Sequence, residues 1–168
     1  MSDASEHIRS IFARLRPRDR DELVEYGFDL ATAAQAFEAP AVISKIFFAK
    51  DVPEAIIAFH QLTPKAVAVS LMATQNWPRV ARALWRWGQS TARPELLRQG
   101  FTRAECRTLE GHADAIAFLE RLGFVRECHV PNFGATGASF IQYAWRLNDH
   151  VPHQTTQSAS ATSSTPAP

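Results

Sequence analysis

Apolar positions in the first third of the chain recur at helical spacing. Ile8, Phe12 and Leu15 follow a polar start that holds Asp3 and Glu6, the pattern of an amphipathic helix. Pro17 ends that run and suits the first turn of a second helix, where its missing N–H would have no partner anyway. Arg18–Tyr26 follows, acidic early, with Gly27 as its stop. Asp29 stands where it would cap a third helix, which runs through Phe37 and ends at Pro40.

The period then changes. VISKIFFAK (42–50), EAIIAFHQL (54–62) and AVAVSLMAT (66–74) are short and rich in strand-forming residues, with turn signals at Asp51–Pro53 and Thr63–Lys65. They predict an antiparallel meander. Trp77–Gly100 supports one long helix, or a helix broken at Pro94. RAECRTL (103–109) reads as a strand, ADAIAFLERLGF (113–124) as a helix ending at Gly123, and VRECHV (125–130) as a strand. SFIQYAWRL (139–147) closes the set after a glycine turn at Gly134 and Gly137. The order predicts an α/β domain in which all six strands share one sheet, flanked by the helices at 77–92 and 112–122. Phe118, Leu122 and Phe124 are expected to pack on that sheet near Tyr143 or Trp145.

Length and composition fit this picture. The chain has 168 residues, enough for one domain with a real core, and 46% are apolar. Lys+Arg number 18 and Asp+Glu 17, so no global charge pulls the protein towards nucleic acid or an anionic membrane. Cys106 and Cys128 make no disulfide framework, which points to reduced thiols. MSDASEHIRS is too polar for a signal peptide, and no apolar run approaches the roughly 18 residues of a membrane span. After His150 the sequence VPHQTTQSASATSSTPAP lacks acids, Lys and Arg. The expected organisation is a domain over 1–149 and a Ser/Thr/Pro-rich tail over 150–168, disordered unless a partner orders it.

The element order, together with HADAIAFLERLGFVRE, resembles the C-terminal half of GNAT acetyltransferases, the acyl-CoA N-acyltransferase-like family. RAECRTLEGHADAIAFLERLGF followed by SFIQYAW is more similar still to GNAT-like proteins of tailed bacteriophages, including the T7-type internal virion protein A group, and LRPRDRDEL fits that set. The resemblance implies a mixed, mostly antiparallel twisted sheet flanked by helices. It also implies an acetyl-CoA site where two neighbouring strands splay, with the pyrophosphate on a Q/R-x-x-G-x-G/A loop at a helix N-terminus. Glycines let backbone N–H groups approach the phosphates there, and the helix dipole favours their charge.

The matching stretch here is QNWPRVAR (75–82), which has no glycine. Pro78 removes a donor and Trp77 adds bulk, while Arg79 and Arg82 supply charge without a backbone cradle. Met72, Thr74, Asn76, Arg79 and Arg82 are the candidate cofactor contacts. Where many GNAT enzymes place a tyrosine to protonate the leaving thiolate, this chain has Leu119, which has no proton to give.

His112 and Glu105 are the candidate catalytic groups. A neutral imidazole at His112 is a base near neutral pH; its plainer reading is a helix cap or a solvent-facing ring. Glu105 is placed to activate an amine through water, against a plainer reading as a surface ion pair. Cys106 and Cys128 read as small buried hydrophobes. His60, His112 and His129 are too scattered to ligate a metal. WPRVARALWRWG alternates Arg with Trp; packing on the sheet or on a partner protein is preferred to nucleic-acid stacking.

The expectation is a phage GNAT-fold protein with a degenerate acetyl-CoA site, serving as a structural or assembly protein in the virion or the host cytoplasm. Its partners would be other virion proteins, met through the tail and the Trp77–Gly88 helix, with neither membrane nor nucleic acid expected. No cofactor is expected. The alternative is an acetyl-CoA-dependent N-acetyltransferase acting on an amine.

Overall fold

The computed structural model of the chain describes residues 3–147. It opens on three helices, α1 (Asp3–Ala13), α2 (Pro17–Glu25) and α3 (Leu30–Glu38). Pro17 begins α2 as expected, and the Asp29 side chain caps α3 by accepting from the Thr32 N–H at 2.8 Å. The strands β1 (Ile43–Ala49), β2 (Val52–Gln61) and β3 (Ala66–Ala73) form the meander. The first turn is tighter than the sequence suggested. Lys50 and Asp51 reverse the chain with φ of 50° and 65°, so Val52 and Pro53 already belong to β2. A register shift between Phe47 and Phe48 faces Pro53 and accommodates its missing donor.

Pro94 does not break the next helix. α4 (Pro78–Trp87) runs through a π turn at Gly88–Ala92 into α5 (Arg93–Arg98), and Pro94 sits in the first turn of α5. A Cβ on Gly88 would meet Leu122 Cδ2 at 3.1 Å, so glycine lets this turn press close to Leu122. β4 (Arg103–Leu109), α6 (Ala113–Leu122), β5 (Val125–Val130) and β6 (Phe140–Arg146) complete the fold.

All six strands share one sheet in the order β1-β2-β3-β4-β6-β5, and only β3 and β4 run parallel. β2 reads as a continuous apolar run because both of its faces are covered. Ile56 and Ala58 face α1–α3 beside Ile8, Ile11 and Phe12, whereas Ala55, Ile57 and Phe59 face the opposite core with Leu84, Phe118 and Leu122. Phe118, Leu122 and Phe124 pack with Tyr143 and Trp145, as the sequence predicts; the Phe124 and Trp145 rings are 5.4 Å apart. Buried Arg93 donates through Nε and Nη2 to the Leu147 carbonyl at 3.0 and 2.6 Å, fixing the end of β6 to α5. Among the described residues no helix is long and apolar enough to cross a membrane. The segment from His150 lies outside the described residues.

Candidate functional site

The parallel pairing of β3 with β4 covers only Ala66–Ala68 against Arg103–Glu105, and beyond it the strands part. The gap opens into a cavity of 330 Å³, walled by Leu23, Tyr26 and Phe37 on one side and by Phe118 and Leu119 on the other. Met72, Glu105 and Cys106 line its strand edges.

Helix α2 spans the open end. Asp19 Oδ2 accepts the Ala73 N–H of β3 at 2.8 Å. One turn on, Glu22 Oε2 accepts the Leu109 N–H of β4 at 2.9 Å and the Thr108 hydroxyl at 2.8 Å. The i, i+3 spacing puts both carboxylates on one helical face, so a single helix joins the two strands. Arg16, just before α2, donates from Nε to Asp19 Oδ1 at 2.7 Å, and its guanidinium lies 4.9 Å from the Trp77 ring centre. The plainer reading of His112 is corrected. It stands at the N-cap of α6 but makes no cap bond, and it is 3% exposed. Its Nδ1 lies 3.2 Å from Glu22 Oε2 and its Nε2 lies 3.4 Å from Asp19 Oδ1.

Burial pushes the Asp19 carboxyl above its usual range; Arg16, His112 and the Ala73 N–H pull it down without cancelling the effect. Burial likewise pushes up the Cys106 thiol, helped by the charges of Glu22 and Glu105, so it is no ready nucleophile. Arg16 Nη1 and Gln142 Oε1 are buried without a hydrogen-bond partner, and both residues line the cavity. The site is therefore an apolar chamber with a charged, hydrogen-bonded end.

The loop between β3 and α4 has a different character. Four of its N–H groups bond internally: Asn76 to Thr74 Oγ1, Trp77 to the Thr74 carbonyl, Arg79 to the Asn76 carbonyl and Val80 to the Trp77 carbonyl, at 2.9–3.1 Å. The Thr74 N–H goes to the Glu54 carbonyl at 2.9 Å. Buried Glu54 pins the loop further, accepting from the Thr74 hydroxyl and from Asn76 Nδ2. The Trp77 and Phe118 rings meet edge to face at 5.1 Å beside the cavity.

The structure thus gathers Met72, Glu105 and His112 at the cleft. Thr74 and Asn76 are tied to Glu54 instead, and Arg79 and Arg82 lie exposed on α4. Glu105 also accepts from Arg103 Nε at 2.7 Å, the ion pair of its plainer reading. Cys128 is exposed, because β5 is an edge strand, and so departs from the buried role expected of it. No group of His, Cys, Asp and Glu fit to hold a metal occurs among the described residues. Arg16, Asp19 and Glu22 were not singled out from sequence. Their one signal was the charged run PRDRDEL at the start of a helix whose Leu23 is apolar.

No family model matches the chain, and no curated protein does. Solved structures do. An aminoglycoside 6'-acetyltransferase type Ii superposes with a TM-score of 0.65 at 17% identity, over 86% of this chain and 92% of that one. The ribosomal-protein-S18-alanine N-acetyltransferase of Escherichia coli gives 0.63 at 15% identity, over 88% and 90%. The yncA protein of Salmonella typhimurium, solved with acetyl-CoA, gives 0.56 at 16% identity, over 74% and 77%. Identities this low speak to architecture alone, and with the splayed parallel pair they establish that the chain has the GNAT acetyltransferase fold.

Proposed function

We propose that the chain is a GNAT-fold binding and assembly protein that does not turn over acetyl-CoA. The carrying observation is the loop after β3, whose N–H groups at Asn76, Trp77, Arg79 and Val80 are all engaged internally. A pyrophosphate needs several converging free donors, and Pro78 offers none. Acetyl-CoA is the cofactor of the Salmonella neighbour, but the residues present here do not fit it. The Trp77 and Phe118 rings pack together beside the cavity, and Leu119 in its wall has no proton for a leaving thiolate. The finer reading, a structural role in a phage particle with partners met through the C-terminal segment, draws its support from the sequence resemblance.

A second reading is favoured by one observation. His112 sits between two carboxylates at the cleft, an arrangement suited to a base in an acyl transfer to an amine. Calorimetric titration separates the two. The binding reading expects no acetyl-CoA affinity tighter than about 1 mM, about −4 kcal/mol. Micromolar binding with acetylation of an amine, lost in His112→Ala, establishes the enzyme instead.

A further inference from the structure

Both ring nitrogens of His112 face carboxylates of α2. Nδ1 faces Glu22 Oε2 and Nε2 faces Asp19 Oδ1, at 3.2 and 3.4 Å, in a site where the ring is 3% exposed. A neutral imidazole carries one proton, so in either tautomer one nitrogen turns a lone pair towards a carboxylate oxygen. That contact is repulsive. With one proton more, both contacts become charge-assisted and attractive. The extra proton has two places to sit, since burial also favours it on Asp19, where it meets the same Nε2. His112, Asp19 and Glu22 therefore hold it as one unit. As placed, Nε2 makes no hydrogen bond, which leaves it open to that proton.

We infer that this cluster is a pH-operated clasp, which holds α2 over the β3–β4 cleft while it carries the proton and lets the helix lift when the proton leaves. The same two carboxylates tie α2 to Ala73 of β3 and Leu109 of β4, so repulsion at His112 bears on the whole attachment. The other end of α2 stays fixed. Glu25 accepts the Ala135 N–H on its carbonyl at 2.8 Å and the Thr136 hydroxyl on its carboxylate at 2.6 Å. That hydroxyl, with the Thr136 N–H, holds the Glu25 carboxyl below its usual range, so this pivot stays charged where imidazoles titrate. The surrounding groups do not switch in that range. Arg16 keeps its charge beside Asp19, Glu105 is paired with Arg103, and Arg107 rests over the Phe133 ring. Burial pushes the Tyr26 phenol and the Cys106 thiol up, so both stay neutral. Glu110 and Asp114, on either side of His112, are exposed. Imidazoles change charge between about pH 5 and 8, so the clasp closes at the acid end and loosens at the alkaline end. Leu23 and Tyr26 of α2 wall the chamber, and lifting the helix admits a ligand to it. Access to the cleft is thus regulated whichever ligand it takes.

The test uses the full chain with Cys128→Ser, which leaves Cys106 in the cleft wall as the one thiol. Labelling of Cys106 by methyl methanethiosulfonate is timed from about pH 5.5 to 8.5. Dividing the rate for the urea-unfolded chain by the folded rate at each pH cancels the thiolate chemistry and reports how rarely the helix lifts. This protection is expected to fall about ten-fold as pH rises through the range, and to stay level in His112→Gln, whose amide does not titrate. Protection independent of pH in the parent chain overturns the proposal. The same fall in His112→Gln also overturns it, because another group then works the clasp. Circular dichroism must show the variant folded. Should it not be, nuclear magnetic resonance of the parent decides, through the His112 ring nitrogens and the Asp19 carboxyl. Loss of a proton from this pair over the pH range in which labelling accelerates supports the clasp; signals that do not move there overturn it. No ligand enters the experiment, so its failure is distinct from failure of the binding reading, which the acetyl-CoA titration decides.

Discussion

Asp19→Ala is expected to lower the unfolding free energy by about 3–5 kcal/mol, the range for removing one partner from a buried ion pair. Three losses coincide. Arg16, 6% exposed at its side chain, keeps its charge but loses its carboxylate; the Ala73 N–H loses its acceptor; and His112 loses a neighbour. Urea unfolding followed by circular dichroism measures the change, and a loss below about 1 kcal/mol would mean that Arg16 reaches water once Asp19 is gone. Asp19→Asn adds a pH signature. Burial raises the folded pKa above the unfolded value of about 3.9, so the folded state holds the proton more tightly. The stability tied to this group is complete below the unfolded pKa and is lost as pH rises through the folded one. Asparagine does not titrate, so the gap between wild type and Asp19→Asn should narrow as pH climbs across that window. A widening gap would show that Arg16, not burial, governs the carboxyl.

Phe118→Ala is the second large effect, also expected at about 3–5 kcal/mol, since a whole ring leaves a close-packed site. Phe118 is 6% exposed and belongs to the core formed by α4, α6 and one sheet face. It also stands edge to face with Trp77 and lines the cavity, so its removal both widens the cavity and frees the Trp77 ring. Denaturant unfolding gives the magnitude. A cost under about 1 kcal/mol would mean that neighbouring side chains collapse fully into the space. Acetyl-CoA titration of the same variant shows whether widening the wall is enough for binding; with the loop's N–H groups still engaged, none is expected.

The fold was legible because its periods are clean. AVAVSLMAT and EAIIAFHQL are too short and too apolar for solvent-facing helices, and they fall in the strands that the sheet contains. At Pro94 the sequence left two readings, a long helix or a break, because a proline in a helix can do either; a π turn upstream places it in a fresh first turn. The departure of the 75–82 loop from the glycine pattern was half of what the structure shows there. Missing glycines and Pro78 stand in the sequence, but the engagement of the neighbouring N–H groups depends on Thr74 and on Glu54 from β2. The carboxylate pair was invisible for a similar reason. Asp19 and Glu22 look like the solvated face of a charged helix until β3 and β4 are brought beside them. His112 likewise takes its meaning from a helix ninety residues earlier in the chain.

The α2 tie gives the cleft an unusual pattern of amide protection. Ala73 and Leu109 lie beyond the point where β3 and β4 part, so no ladder between those strands shields their N–H groups. Each is held instead by a carboxylate of the same helix. Local opening that lifts α2 exposes both to solvent deuterium together, while the central sheet keeps its protons. Two amides distant in sequence thus form one exchange unit, and their common rate measures how often the cleft opens.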